Sequence, residues 1–223
     1  MDLSPILISF KTATIAIIVT FFSGTLAAYL VFRLKNRGLR ILLNSLFTLP
    51  LVLPPTVFGF FLLDIFGVQQ PVGKFLLDFF AVKVVFSWTA TVIAAVAVSF
   101  PLMYRSAISA FEQIDPDLLA AAQTLGFSEI KVFFKIAFPL AINGLLAGGV
   151  LAFARGLGEF GATTMLAGNI AGKTRTLPLA IYSAVAAGDW ELAQKYVTII
   201  VFICLLILLL TEIFSSNSRR SHT

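Results

Sequence analysis

The sequence predicts an all-α, polytopic membrane protein. Of its 223 residues, 59% are hydrophobic and only 12% are charged. A soluble domain of this size has too little interior to bury so much apolar surface. Long uncharged stretches separate the charges, and several are long enough for a helix to cross the roughly 30 Å hydrocarbon core of a bilayer. Together these observations predict one transmembrane domain over residues 1–223.

Five stretches are predicted to span the membrane. Four are uncharged over about 20 residues, which is the length that a crossing helix needs. The fifth is shorter but almost purely aliphatic, and Lys195 and Glu212 at its ends can extend toward the headgroups. The predicted spans are residues 12–32, 41–63, 84–104, 136–154 and 196–211.

A further apolar stretch, residues 176–188, is too short to cross and contains Pro178. We expect it to form a re-entrant or half-buried helix. Such a segment is tolerated only where protein or a water-filled path surrounds it.

The connector between the first two spans predicts the orientation of the chain. It carries four basic residues and no acidic one, which is typical of a cytoplasmic loop. The N-terminus is therefore expected outside, without a cleaved signal peptide, and the C-terminus, with Arg219 and Arg220, in the cytoplasm. The basic residues of the connector are Arg33, Lys35, Arg37 and Arg40.

The longest charged connector, residues 105–135, is predicted to be cytoplasmic and to contain a helix-turn-helix. Pro116 suits a first helical turn, and Gly126 can end that helix in a left-handed conformation. Ser128 can then cap the next helix. This loop can bind a partner protein, or it can be an amphipathic connector that covers the bilayer surface.

This loop resembles one in the inner-membrane permease subunits of binding-protein-dependent ABC importers. In that family the loop carries the sequence Glu-Ala-Ala, then three further residues and a glycine. Leu-Pro follows some distance downstream. Here Ala120 replaces the glutamate, and Phe138 and Pro139 stand at the later position. The family's loop docks on an ATP-hydrolysing subunit, so the resemblance implies such a partner. The residues that it assigns to coupling are Ala120, Ala121, Ala122, Leu125 and Gly126.

Three prolines, Pro50, Pro54 and Pro55, interrupt the second predicted span. Each proline removes a helical hydrogen bond, so the helix is expected to be kinked or broken there. The break can serve packing alone, or it can act as a gate in a translocation path.

A stretch at the end of the fourth span, residues 151–163, supplies three further candidates for the path. Arg155 and Glu159 lie at positions i and i+4 and can form an ion pair on one helix face. The pair can be structural, or Arg155 can stabilise an anion in transit. Thr163 is the third candidate.

Three stretches, residues 49–59, 151–163 and 168–178, resemble the molybdate permease group and, more loosely, the sulfate permeases. Sulfate permeases commonly carry an additional N-terminal span that this chain lacks, which favours molybdate. Tungstate is a near neighbour because the two tetrahedral dianions are alike in size and charge. The resemblance implies a cell inner-membrane importer that receives its oxyanion from an external binding protein.

The family pattern also implies two permease subunits around one central path, and therefore a homodimer if no second permease accompanies this chain. Small residues of the fourth span can pack within the subunit or across such a dimer. These small residues are Gly144, Ala147, Gly148 and Ala152.

Lys173 and Arg175 lie outside on the predicted topology. There they can draw an oxyanion toward the path, or they can contact the binding protein or lipid headgroups.

Several other functions are excluded. A single cysteine, Cys204, and a single histidine, His222, leave no zinc site, disulfide or Cys/His catalysis within the chain. Residues 167–174 imitate a phosphate-binding loop, but Ala167 replaces its first glycine and no strand precedes it. We therefore expect no cofactor and no ATP binding by this chain. The basic residues form no continuous face for nucleic acid.

Two other classes remain as alternatives. A passive channel would not need a loop for docking an ATPase. An intramembrane enzyme would need paired ionisable groups at membrane depth, whereas the spans are expected to offer only isolated hydroxyls, Asn44, Asn143 and Cys204.

Overall fold

The computed structural model describes the backbone of residues 1–220 and the side chains of residues 1–209. Over that range the chain forms helices joined by short turns, and no strand is present. The predicted all-α class is confirmed. A π-helical turn, Phe133–Ala137, joins α7 to α8. The helices are α1 (Ser4–Phe32), α2 (Arg37–Val52), α3 (Pro55–Phe66), α4 (Pro71–Phe80), α5 (Trp88–Glu112), α6 (Pro116–Thr124), α7 (Glu129–Val132), α8 (Phe138–Leu157), α9 (Gly161–Ala167), α10 (Leu177–Ala186) and α11 (Trp190–Arg220).

Within the described residues, four helical segments are long and apolar enough to cross a membrane: α1, α5, the continuous helix Glu129–Leu157 and residues Trp190–Leu209 of α11. The pair α2 and α3 supplies a fifth candidate, bent by 113° at its break. These five candidates follow the order of the predicted spans.

The third span differs from its predicted bounds, residues 84–104, at both ends. Its helix begins only at Trp88, because the Ser87 hydroxyl accepts a hydrogen bond from the Ala90 amide and caps the helix there. It continues to Glu112, because nothing between Arg105 and Glu112 interrupts helical hydrogen bonding. The connector predicted over residues 105–135 is correspondingly shorter.

Helices α1 and α5 lie side by side and run in the same direction. Hydrogen bonds between hydroxyls join them, from Thr12 to Thr91 at 2.9 Å and from Thr20 to Ser99 at 3.2 Å. All four side chains are buried, so each needs a partner. The expectation that hydroxyls in the spans are isolated is wrong for these four, because each is paired across a helix interface.

The bent pair returns the chain between these two parallel helices. α2 runs antiparallel to α5, and the Tyr104 hydroxyl donates a hydrogen bond to Asn44. α3 packs near the start of α5, where Leu62 shares an apolar cluster with Ala90. The pair reaches from one end of α5 toward the other, as a single crossing in two segments would.

Helix α8 packs against α5 in the opposite direction. A Cβ added at Gly144 would lie 2.6 Å from the Cβ of Ala110, and one added at Gly148 would lie 2.4 Å from the Cβ of Ser106. Both distances are too short for non-bonded carbons, so only glycine allows the backbones to approach this closely. Gly144 and Gly148 therefore pack within the subunit.

The crossings alternate in direction and define two ends of the molecule. The connector end holds residues 33–40, the last turn of α5 and the helices α6 and α7. The opposite end holds the first residues of α1, α5 and α11. There Tyr196 donates a hydrogen bond to the Asp2 carbonyl at 2.8 Å. The Lys11 ammonium lies 4.1 Å from the centre of the Trp88 ring, a cation–π contact.

The short apolar stretch of residues 176–188 forms helix α10 at the opposite end. The Leu177 amide donates a hydrogen bond to the Ser9 hydroxyl of α1 at 2.7 Å. Leu179 and Ala184 are buried, whereas Tyr182 is exposed. The expected half-buried helix is thus present.

Candidate functional site

The second span is broken at its prolines. Pro50 lies inside α2, Pro54 stands at the break and Pro55 is the first residue of α3. Helical bonding continues on both sides, from the Leu53 amide to Leu49 and from the Phe58 amide to Pro54. The 113° bend confirms the prediction that the helix is kinked or broken here.

Helix α3, which follows the break, packs closely on α9. A Cβ added at Gly59 would lie 2.8 Å from the Cα of Ala162. A Cβ added at Gly161 would lie 2.8 Å from the Cβ of Pro55. The proline-containing stretch and the Gly-Glu-Phe-Gly stretch, which are distant in sequence, are therefore in direct contact.

Glu159 lies at the centre of this junction. Its side chain is only 2% exposed, and its Oε2 accepts a hydrogen bond from Arg155 Nη1 at 2.8 Å. Its Oε1 accepts a hydrogen bond from the Ala162 amide at 2.7 Å. The carboxylate thus satisfies an otherwise unpaired amide in the first turn of α9 and neutralises a cation. The predicted ion pair between Arg155 and Glu159 is present, and it also fixes the turn between α8 and α9.

Arg155 and Thr163 differ in accessibility. The Arg155 side chain is 33% exposed, and a guanidinium carries five N–H donors, so a second acceptor can reach it. Thr163 is buried within α9. Its hydroxyl therefore does not reach an open surface in this conformation.

The connector end carries the helix-turn-helix that the sequence predicts. Asp115 caps α6 by accepting a hydrogen bond from the Asp117 amide, and Pro116 is its first residue. Gly126 has φ +80°, the left-handed conformation expected of it. Ser128 then caps α7. The local turn chemistry is confirmed residue by residue.

Helix α6 has one buried and one exposed face. Leu119 and Ala122 are buried against the apolar cluster of the connector end. Leu118 and Leu125, seven positions apart and so on one helix face, are exposed, Leu125 by 77%. Ala120, Ala121 and Gly126 are also exposed. Four of the five predicted coupling residues therefore face outward, and Ala122 faces inward.

At the opposite end a compact loop joins α9 to α10. Arg175 Nε donates a hydrogen bond to Asn169 at 2.8 Å, and Asn169 in turn donates to Ser183 at 2.6 Å. Thr174 is buried and closes the loop by bonding the Gly168 carbonyl. Helix α9 precedes this loop, whereas a phosphate-binding loop would follow a strand. The loop is therefore not a nucleotide site.

Glu129 is an interacting residue that the sequence pattern does not predict. Its Oε1 accepts hydrogen bonds from Arg33, just after α1, and from Gln123 of α6. An acidic residue that is predicted to lie on the same side of the membrane as a wholly basic connector is a signal that could have suggested an ion pair. It could not have told which of the four basic residues is the partner.

Comparison with known proteins identifies relatives along nearly the whole chain. YvgM of Bacillus subtilis is 47% identical over 98% of this chain and 94% of its own length. The molybdenum transport system permease protein ModB of Escherichia coli is 40% identical over 96% of this chain and 93% of its own. The sulfate transport system permease protein CysT of Salmonella typhimurium is 36% identical over 89% of this chain and 69% of its own.

Solved structures share the fold. A bacterial ABC transporter that imports alginate superposes with a TM-score of 0.76, covering 98% of this chain and 79% of its own at 14% identity. The MetNI methionine ABC transporter superposes with a TM-score of 0.71, covering 94% of this chain and 92% of its own at 13% identity. At these identities the likeness shows the fold alone.

The family described as binding-protein-dependent transport system inner membrane component matches residues 6–220. That match, the near-full-length relatives and the shared fold all agree with the helix-turn-helix at the connector end. The chain belongs to this family of permease subunits, in which ATP hydrolysis is the task of another subunit.

Proposed function

We propose that this chain is the molybdate permease of an ATP-driven importer. The observation that carries this proposal is the similarity to ModB along nearly the whole length of both chains. In this proposal an external binding protein delivers the oxyanion, and an ATP-binding subunit drives its passage through a homodimer of permeases. The binding protein supplies most of the selectivity, since the described parts of the spans show no dense set of hydrogen-bond donors that could replace an oxyanion's hydration.

Tungstate and sulfate are the alternative substrates. Tungstate shares the charge and nearly the size of molybdate, so contacts with the permease distinguish the two poorly. Sulfate is favoured by the similarity to CysT, which covers less of both chains. A passive channel is disfavoured because the exposed apolar face of α6 would then have no use.

The exposed face of α6 supports docking on an ATP-binding subunit. Leu118 and Leu125 present apolar side chains to the surroundings, while Leu119, about 100° around the helix from Leu118, holds α6 against the spans. Burial of exposed leucines is a favourable contribution to a protein interface. A short helix held in this way moves as a rigid body when its partner rotates.

The junction of α3 and α9 supports a translocation path beside it. Irregular backbone at membrane depth persists only inside protein or along a water-filled path, and here two helix breaks meet. Pro50, Pro54 and Pro55 define one break. The other lies between α8 and α9, at residues 158–160, and the ion pair of Arg155 with Glu159 bridges it. The exposed part of the Arg155 guanidinium can donate hydrogen bonds to a dianion in passage while its other donors hold Glu159. Because the accessible member of the pair is the cation, the site favours anions over cations. A role for Thr163 requires a conformation in which α9 moves.

Transport by the reconstituted system tests the proposed function. Proteoliposomes containing this chain and its ATP-binding subunit should accumulate molybdate when ATP and the native binding protein are supplied. Tungstate should compete strongly and sulfate weakly. Sulfate uptake that excess molybdate cannot reduce would overturn the molybdate assignment and leave the family assignment intact.

The proposed orientation of the chain in the membrane gives a second prediction. It is tested in a Cys204→Ser variant, which lacks the native thiol. A cysteine introduced by Lys35→Cys should react with a membrane-impermeant maleimide only after the cytoplasmic side is opened, because connectors rich in basic residues stay inside. Lys173→Cys, at the opposite end, should react in intact cells. The reverse pattern would contradict the proposed orientation.

The turn after α6 yields a third prediction. Gly126→Val should lower transport and binding-protein-stimulated ATP hydrolysis together, because a β-branched residue at φ +80° costs about 1 kcal/mol or more. Nothing lies within 4 Å of an added Cβ, so strain and not a clash is the cause. The control is Gly126→Asn, since asparagine tolerates this conformation. Unchanged activity of Gly126→Val would show that the loop is a plain connector.

The role of Arg155 gives a fourth prediction. Because removal of Arg155 alone leaves the buried carboxylate of Glu159 without its cation, the test needs a variant that removes both charges. Arg155→Gln alone leaves that carboxylate unpaired, at a cost of about 3–5 kcal/mol, so it should lower the thermal stability. Arg155→Gln with Glu159→Gln removes both charges and should restore the stability, yet it should still slow molybdate uptake without altering the preference over sulfate. Wild-type uptake by the double variant would show that the pair is only structural.

A further inference from the structure

One carboxylate oxygen connects three elements at the connector end. Glu129 begins α7, and its Oε1 accepts a hydrogen bond from Gln123 Nε2 of α6 at 2.8 Å. The same oxygen accepts a hydrogen bond from Arg33 Nη2, where Arg33 follows the last residue of α1. A continuous polar chain therefore runs from α6 through Glu129 to the end of the first span.

The hydrogen bond from Gln123 to Glu129 is the directional contact between α6 and the rest of the connector end. Among the described side chains of α6, only that of Gln123 forms a hydrogen bond to another helix. The other attachments are apolar contacts of Leu119 and Ala122 in the connector-end cluster. Apolar contacts are non-directional and allow sliding, whereas hydrogen bonds depend on both distance and angle.

The ion pair contributes little to the fold itself. The side chains of Arg33 and Glu129 are 29% and 61% exposed, and pairs this accessible stabilise a protein by at most about 1 kcal/mol. A second exposed pair, Arg40 with Glu112, links α2 to α5 at the same end without reaching α6. It is a natural control of the same chemistry and similar exposure.

We propose that Glu129 is a positioning residue that transmits displacement of α6 to the end of α1 through Arg33. This inference rests on the proposed importer function, in which α6 docks on the ATP-binding subunit. When that subunit moves α6, Gln123 displaces Glu129, and the bond to Arg33 carries the displacement to α1. The hydroxyl pairs between α1 and α5 connect the first span to the rest of the bundle.

The test measures molybdate transported per ATP hydrolysed in proteoliposomes with the native binding protein. Glu129→Ala should lower this ratio by about fivefold, the factor that corresponds to an interaction of about 1 kcal/mol, while the complex still assembles. Arg33→Ala should have the same effect, and the double variant should be no worse than either single one, because both break one connection. Exchange of the charges by Arg33→Glu with Glu129→Arg should recover part of the ratio.

Glu112→Ala is the matched control and should leave the ratio at its wild-type value. The inference is wrong if Glu129→Ala keeps the wild-type ratio, or if Glu112→Ala lowers it equally, since general loosening of the connector end would then suffice. Failure of the proposed function is distinguishable, because the wild-type importer would then accumulate no molybdate before any variant is compared.

Discussion

The close packing around α5 is the constraint on which the rest of the structure depends. In a bilayer the lipid tails are as apolar as the side chains, so helices associate through close contact and buried hydrogen bonds. α5 meets α1 through paired hydroxyls and α8 through glycines that bring the backbones together. It is the most buried of the four long crossing helices, while α11 is the least buried. Helix α1, the bent pair of α2 and α3, and α8 all pack directly on this central helix.

The two interrupted helices follow from the same constraint. A proline break exposes backbone groups that lipid cannot satisfy, so the break must lie against protein or water. Here the segment after the prolines packs on α9, whose own first turn is satisfied by the Glu159 carboxylate. A charged residue at such depth is costly unless it is paired, and Arg155 supplies the pair. The irregular backbone is thus concentrated at the junction of α3 and α9, beside which we propose the translocation path.

The two ends of the molecule have different physical characters. The connector end combines basic residues, two ion pairs between elements and a helix with an exposed apolar face. The opposite end is closed by short hydrogen-bonded loops and by the contact of α11 with the first residues of α1. A family in which a binding protein delivers on one side and an ATP-binding subunit acts on the other requires such an asymmetry.

The sequence by itself determined what depends on neighbouring residues. The order of the apolar stretches, the break at Pro54 and Pro55, the left-handed Gly126 and the i, i+4 pair of Arg155 and Glu159 all follow from helix geometry and backbone conformation. The resemblance of the cytoplasmic loop and of three further stretches to known permeases indicated the family. Tertiary structure alone decided which distant groups meet: the hydroxyls of α1 with those of α5, α3 with α9, and Glu129 with Arg33. Such contacts depend on how helices rotate and pack, and local periodicity fixes neither the partner nor the distance.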